Sequence, residues 1–176
     1  VKLGTACLVA ATRNPLYLAL EWGTLDVLSG GRTILGPCMG NPEKGVEREV
    51  EELGLPFKKR GYVLDEVLEV VRTLWTEGKV TFHGDYFDYD DVGFHSGTEM
   101  APLGPLQKPP PIWVVSNPRL VDDSSDERMM RIMRRACRRI IRYGDGWMTC
   151  CRAEHPEELT EQIGYLEEAA RELVRR

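Results

Sequence analysis

The chain has 176 residues, about the length of one domain, and 42% hydrophobic and 29% charged residues, a balance that supports a core and excludes intrinsic disorder. Its longest apolar runs, such as residues 6–11 and 111–115, are far shorter than the roughly 20 residues that cross a bilayer. No signal-peptide pattern opens the sequence, so we expect a cytoplasmic protein with no membrane partner.

The charge balance is acidic overall but uneven. A net charge of -5 argues against a general nucleic-acid binder, so we expect no nucleic-acid partner. Residues 119–142 nevertheless hold eight arginines. Met130, Met133, Cys137, Ile140 and Ile141 recur among them at helical spacing, which predicts an apolar stripe with the arginines on the solvated face. An arginine helix that binds nucleic acid stays an alternative, and it would show a steeply salt-dependent affinity.

The cysteines and histidines form no recognisable site. Five cysteines without a Cys-x-x-Cys pair and three histidines indicate neither a zinc site nor a disulfide framework. Cys150 and Cys151 are adjacent in a predicted strand, so we expect their side chains on opposite faces, as small buried residues.

Strands and helices alternate along the chain. Short apolar runs predict buried strands over residues 3–10, 33–39, 111–116 and 146–151. An X-Pro step follows each of them, and in three cases the preceding residue is Asn, a good N-cap before a proline at the first helical position. Helices are predicted over residues 15–28, 60–76, 126–143 and 156–174, the first three ending at glycines. The alternation predicts an α/β fold with parallel strands.

One insertion, residues 43–106, interrupts the regular spacing. It contains a helix and a predicted antiparallel hairpin that turns at Gly84, and a proline-rich loop follows from residue 100 to 111. Insertions of this kind often line a binding site. We expect His83, in the hairpin, to be exposed or packed rather than catalytic.

Four parallel strands do not close a barrel, which typically needs eight. Three alternatives remain open: an open sheet, a half-barrel that pairs with a second chain, or a piece of a longer protein.

Seven short motifs then occur in order. They are Leu3-Gly4-Thr5-Ala6 with Arg13-Asn14-Pro15; residues 25–32; Gly54-Leu55-Pro56-Phe57 with Arg60-Gly61; Leu64-Asp65-Glu66; His83-Gly84-Asp85-Tyr86-Phe87; Pro111-Ile112-Trp113-Val114; and Tyr143-Gly144-Asp145-Gly146-Trp147. Together they resemble the luciferase-like monooxygenase family of flavin- or deazaflavin-dependent oxidoreductases. The resemblance implies a (β/α)8 TIM barrel, of which residues 3–10 are the third strand and residues 146–151 the sixth. We therefore expect a single partial-barrel domain, residues 1–176, truncated at both ends, with the insertion inside it.

The carboxyl ends of barrel strands carry the ligand site, and here they are nearly free of carboxylates and histidines. Glycoside hydrolysis needs two carboxylates and metal-dependent hydrolysis needs a ligand cluster, so neither is indicated. Small neutral side chains suit an organic cofactor that carries its own reactivity.

The resemblance implies particular cofactor-binding residues. Thr5, Ala6 and Cys7 correspond to the strand end whose backbone bulges, through a non-proline cis peptide placed at Ala6-Cys7, to support the face of the isoalloxazine ring. The alternative is an ordinary core strand.

The next two strand ends complete this implied site. Met39, Gly40 and Asn41 correspond to the turn near the ring and the ribityl chain, although Pro37 removes a backbone donor there. Ser116 and Asn117 stand where the family grips the cofactor phosphate, and Arg119 adds a charge. A simple N-cap is the alternative at this third strand end. We assign the Tyr143–Trp147 turn to structure.

From the resemblance we expect an oxidoreductase that uses FMN or the deazaflavin coenzyme F-420 on a small-molecule substrate, and a homo-oligomer. The catalytic residues stay unknown, and no metal is expected. The alternative is a non-catalytic, truncated half-barrel that folds only by association.

Overall fold

A computed structural model describes residues 1–40, 44–94, 104–116, 127–149 and 156–174. It divides into two compact units, Val1–Pro111 and Ile112–Arg176. The division differs from the expected single domain with an insertion at residues 43–106, which stays a prediction. No helix among the described residues is long and apolar enough to cross a membrane.

The first unit begins with two interrupted strands. The predicted strand 3–10 forms two short segments, β1 (Leu3–Gly4) and β2 (Leu8–Val9), and the predicted strand 33–39 forms β3 (Thr33–Ile34) and β4 (Pro37–Cys38). β1 pairs with β3 and β2 with β4, both in parallel, as predicted. The expectation of continuous strands is wrong because the backbone leaves the ladder between the two segments.

Helix α1 (Pro15–Ser29) joins the two strands and confirms the predicted caps. The side chain of Asn14 accepts hydrogen bonds from the N–H groups of Leu16 and Tyr17, and Pro15 occupies the first helical position. At the other end Gly30 has φ 70°, a left-handed conformation that glycine adopts without steric cost.

The described part of the insertion contains two helices and a two-stranded hairpin. Helix α2 (Lys44–Glu52) was not predicted, because its polar sequence contains few apolar residues to reveal a period. Helix α3 (Arg60–Glu77) confirms the predicted helix 60–76. The strands β5 (Lys79–His83) and β6 (Asp88–Gly93) pair in antiparallel orientation and confirm the hairpin, whose turn closes through a hydrogen bond from Gly84 N–H to Phe87 O at 2.9 Å. His83 is exposed, as expected.

The core of the first unit lies between α1 and α3. Eight side chains of α3 are buried: Val63, Leu64, Val67, Leu68, Val70, Val71, Leu74 and Trp75. The indole N–H of Trp75 donates to the carbonyl oxygen of Ala19 at 3.0 Å, which satisfies its one buried polar group and ties the two helices together. Each buried aliphatic side chain contributes about 1.5–3 kcal/mol.

The second unit is a β-α-β arrangement followed by a helix. Its elements are β7 (Trp113–Val115), α4 (Glu127–Tyr143), β8 (Gly146–Met148) and α5 (Pro156–Val174), and β7 and β8 are parallel. Met133 and Cys137 of α4 pack against Ala169 of α5 in the core. Cys150 and Cys151 lie outside the described residues.

The turn between α4 and β8 has a structural role, as the sequence analysis expects for residues 143–147. A Cβ at Gly144 would lie 2.6 Å from the carbonyl oxygen of Ile140, and one at Gly146 would lie 2.7 Å from the Trp113 ring. Between the two glycines, Asp145 Oδ2 accepts from Ile112 N–H at 3.0 Å. Close packing therefore requires both glycines.

The predicted apolar stripe of α4 is confirmed with two corrections. Ile141, a predicted member of the stripe, is exposed, because at 100° per residue it lies at the edge of the arginine side of the helix. Met133, Cys137 and Ile140 are buried, as the apolar stripe predicts. Arg139 was expected on the solvated face but is only 4% exposed, because its position borders the apolar side of the helix.

Candidate functional site

The candidate site begins at a bulge in the first strand. Before it, Leu3 pairs with Thr33 and Gly4 with Ile34; after it, Leu8 pairs with Pro37. Three residues (5–7) therefore lie opposite two (35 and 36), which is the two-strand mismatch of a β-bulge. Bulges occur frequently next to active sites, where they re-aim side chains.

Thr5 and Gly36 hold the bulge closed. Gly36 N–H donates to Thr5 Oγ1 at 3.1 Å, and the Gly36 carbonyl oxygen accepts from Leu8 N–H at 2.8 Å. A Cβ at Gly36 would overlap the carbonyl oxygen of Thr5. The second strand therefore needs glycine at this position.

Pro37 fits the ladder although it lacks an N–H. Pro37 stands opposite Leu8. The N–H of Leu8 donates to the carbonyl oxygen of Gly36, so the pairing at this position needs no N–H from the proline. Pro37 therefore does not interrupt the pairing of β2 with β4.

The peptide bond between Ala6 and Cys7 is cis, which confirms the expectation drawn from the resemblance. The side chains of Ala6 and Cys7 are exposed, whereas Thr5 is half-buried. The expected ordinary core strand, the alternative at this position, is wrong because two of its three residues face outward.

Met39 and Gly40 follow the second strand beside the first. Both are half-buried, and Gly40 has φ 81°, a left-handed conformation that favours glycine. A Cβ at Gly40 would lie 3.2 Å from Val9 Cγ1, so the carboxyl ends of the two strands are in contact. Asn41 lies outside the described residues.

Five of the eight predicted site residues thus lie on two paired strands: Thr5, Ala6 and Cys7 form the bulge, and Met39 and Gly40 follow β4, where Gly40 contacts Val9. None of them carries a charge, and no group of three or more metal-binding side chains occurs in the described part of the chain. Hydroxyl, thiol, thioether and backbone groups of this kind can support a flat organic ring, and they offer no acid-base pair of their own.

Ser116 belongs to the second unit, directly after β7. It is 6% exposed, and its carbonyl oxygen accepts the indole N–H of Trp147 at 2.7 Å. That bond links the carboxyl end of β7 to β8. Asn117 and Arg119 lie outside the described residues.

A buried carboxylate that sequence reasoning passed over supports the strands from the other end. Asp26 is fully buried and accepts hydrogen bonds from Thr33 Oγ1 at 2.7 Å, Gln107 N–H at 2.8 Å and Gln107 Nε2 at 2.7 Å. Burial raises the pKa of Asp26, but the hydrogen bonds from Gln107 and Thr33 outweigh it, so the pKa is lowered. The signal in the sequence is an acid directly flanked by two apolar residues, Leu25 and Val27, within α1.

A second carboxylate fastens the inserted hairpin. Glu66 of α3 accepts the N–H groups of Asp85 (2.8 Å), Tyr86 (3.0 Å) and Phe87 (3.1 Å). The motifs around residues 64–66 and 83–87 are therefore two halves of one contact. In addition, Asn14 Nδ2 donates to the Tyr89 hydroxyl at 3.5 Å, which brings the hairpin to the start of α1.

Curated relatives match about two thirds of the chain. An F420-dependent glucose-6-phosphate dehydrogenase of Intrasporangium calvum is 37% identical over 125 residues, 69% of this chain and 34% of that protein. The oxygenase component of a flavin-dependent trigonelline monooxygenase of Acinetobacter baylyi is 33% identical over 117 residues, 66% of this chain and 30% of that protein. The chain thus spans about a third of the length of these relatives.

Solved structures share the fold over nearly the whole chain. The oxygenating constituent of 3,6-diketocamphane monooxygenase from Pseudomonas putida, in complex with FMN, aligns with a TM-score of 0.68 at 18% identity, covering 98% of this chain and 44% of that one. The model of the luciferase-like monooxygenase family matches residues 1–123, which include the bulge, α1 and the hairpin. The α/β chain therefore belongs to the luciferase-like monooxygenase family.

Proposed function

We propose that this chain forms part of a flavin- or deazaflavin-dependent oxidoreductase, and that its bulge supports the ring of FMN or coenzyme F-420. The observation that carries the proposal is the bulge at residues 5–7, where the uncharged side chains of Ala6 and Cys7 are exposed, within the region matched by the family model. The names of the relatives, one F420-dependent and one flavin-dependent, support the same two cofactors.

The residues present fit such a group. Ala6 and Cys7 expose small side chains on one strand end, and Gly40 on the other carries no side chain, so a planar ring can approach the backbone closely. The hydrogen bond between Gly36 and Thr5 fixes this surface before any ligand arrives. Preorganisation of this kind lowers the entropic cost of binding.

When bound, reduced FMN would supply oxygen activation and the deazaflavin would supply hydride transfer. The residues of this chain would bind and orient the ring: Thr5 holds the bulge through Gly36, and Ala6, Cys7, Met39 and Gly40 would hold the cofactor. From the family resemblance we assign Ser116 and Asn117 to the cofactor phosphate.

A titration tests the cofactor proposal. We expect the 176-residue chain to bind oxidised FMN or F-420 saturably in the micromolar range, followed by fluorescence anisotropy. Cys7→Asp adds a charge to the ring-facing surface and should weaken binding by about tenfold or more. Thr24→Asp, which adds the same charge on the exposed side of α1, should bind like the wild type. Equal affinity of Cys7→Asp and the wild type would refute the placement.

A non-catalytic half-barrel that folds only by association is the second candidate. It is favoured by the exposed edge of the first strand, where Leu3 is 51% exposed. Size-exclusion chromatography with light scattering separates the two proposals. A stable monomer that binds the cofactor removes the basis of the second candidate, whereas an obligate oligomer that binds neither cofactor supports it.

A further inference from the structure

Helix α4 concentrates its positive charge on one side. It contains seven arginines, no lysine and one acid, Glu127. At 100° per residue, all seven arginines fall within an arc of about 140°, and the apolar residues occupy the remainder. We call this side the arginine arc; its members are Arg128, Arg131, Arg134, Arg135, Arg138, Arg139 and Arg142.

Most of the arc faces solvent. Five of its seven arginines are exposed, and Arg131, Arg134, Arg138 and Arg142 form a row about 16 Å long at spacings of three or four residues. The opposite side of the helix is already occupied, because Met133 and Cys137 pack against α5. A ligand of the arc would therefore meet charge and not an insertable apolar face, which disfavours a membrane partner.

The arc already engages carboxylates within this chain. Arg138 pairs with Glu172 of α5 at 2.9 Å, and Arg131 lies 3.9 Å from Glu127. Arginine is the residue best suited to such contacts, because its planar fork binds a carboxylate through two parallel N–H groups.

The neighbouring helix α5 limits what else can reach the arc. Glu161 and Glu168 of α5 are exposed, and the pair Arg138–Glu172 fixes α5 along α4. The carboxylate of Glu172 borders the arc at Arg138, so phosphates of a DNA duplex at that edge would meet a like charge. A single acidic peptide is narrow enough to follow the row alone.

We propose that the arginine arc is a docking surface for an acidic segment of a partner protein. The surface is independent of the cofactor site, so either proposal can fail without the other. Because each exposed ion pair contributes little, the affinity depends on several arginines at once and falls with salt.

The test uses the full chain and a fluorescein-labelled decaglutamate peptide, with binding measured by anisotropy at about 50 mM and about 200 mM salt. We expect the triple variant Arg131→Gln, Arg134→Gln, Arg142→Gln to weaken binding by about tenfold. The matched control Arg48→Gln, Lys58→Gln, Lys108→Gln removes the same charge from exposed positions elsewhere and should bind like the wild type. Replacing the three arginines by lysine keeps the charge but removes the planar fork, so binding should fall between that of the glutamine variant and that of the wild type. Circular dichroism checks that each variant folds.

Three results would overturn the proposal. The first is no decaglutamate binding by the wild type at the lower salt concentration. The second is an equal loss in the arc variant and the control, which would make the effect one of overall charge. The third is arc-dependent binding of a labelled 20-base-pair DNA duplex tighter than that of the peptide, which would assign the arc to nucleic acid.

Discussion

The amide of Tyr86 and the carboxylate of Glu66 are joined by a hydrogen bond of 3.0 Å, although they lie twenty residues apart in the sequence. The same carboxylate also accepts the N–H groups of Asp85 and Phe87. One side chain of α3 therefore satisfies three donors of a hairpin turn, and it holds the hairpin against the first unit's core helix.

Glu66→Ala should lower the free energy of unfolding by about 2 kcal/mol, because three N–H groups lose a charged acceptor and must turn to water. Urea denaturation measures the change, and amide exchange at residues 85–87 should accelerate. Glu77→Ala, at the exposed end of the same helix, should have little effect. Equal destabilisation by the two substitutions would contradict the anchoring role.

Gly36→Ala should destabilise the first unit by several kcal/mol, since the new Cβ would overlap the carbonyl oxygen of Thr5 and open the bulge. Gly45→Ala is the matched control, because no atom lies within 4 Å of its Cβ position and alanine favours the helix by up to about 1 kcal/mol. Thermal unfolding compares the two. If Gly36→Ala unfolds at the wild-type temperature, the close approach is not required.

The stability contributed by Asp26 should depend on acid pH. Its pKa is lowered in the folded chain, so the carboxylate stabilises the fold above the unfolded pKa of about 3.9, and this stabilisation is lost as the pH falls towards the folded value. Asp26→Asn should cost about 3 kcal/mol at neutral pH, because an amide offers the surrounding donors fewer acceptors. The difference from the wild type should shrink below about pH 4.

Urea titrations of both proteins at neutral and acid pH measure this difference. Asp90→Asn, at an exposed position in the hairpin, should leave stability unchanged at either pH. A cost of Asp26→Asn that stays constant down to strongly acid pH would contradict the proposed role of the ionised carboxylate.

The described cysteines should differ sharply in reactivity. Cys7 is exposed, whereas Cys137 is fully buried and burial raises its pKa to about 11, so at pH 8 its thiol is both protonated and inaccessible. Alkylation by iodoacetamide followed by peptide mass spectrometry should modify Cys7 long before Cys137. Saturating cofactor should slow the modification of Cys7. Modification of both at one rate would show that the fold opens as a whole.

Local signals allowed much of this fold to be predicted. Asn14-Pro15 and Gly30 delimited α1, and Gly84 located the hairpin turn, because caps and turns depend on neighbouring residues. Asp26 and Gln107 could not be paired, since 81 residues separate them and neither position has a periodic signal. The burial of Arg139 likewise could not be predicted, because it depends on packing against other parts of the chain and not on the spacing of residues within α4.

The site was predicted through family resemblance more than through physical pattern. Ala6 and Cys7 look like core residues, because a small apolar side chain in a strand usually points inward. Only the mismatch of three residues against two reveals that this stretch leaves the ladder, and the mismatch depends on a second strand thirty positions away.

Side chains alternate between the two faces of a strand, so one additional residue reverses the phase of everything after it. Three residues separate Gly4 from Leu8, whereas two separate Ile34 from Pro37. Relative to the paired residues of the second strand, the alternation of side chains in β2 is therefore shifted by one residue from that in β1. Deleting one residue from this stretch would restore a common parity and a regular ladder. The exposed surface formed by Ala6 and Cys7 therefore depends on the one extra residue that the first strand has between its two paired segments.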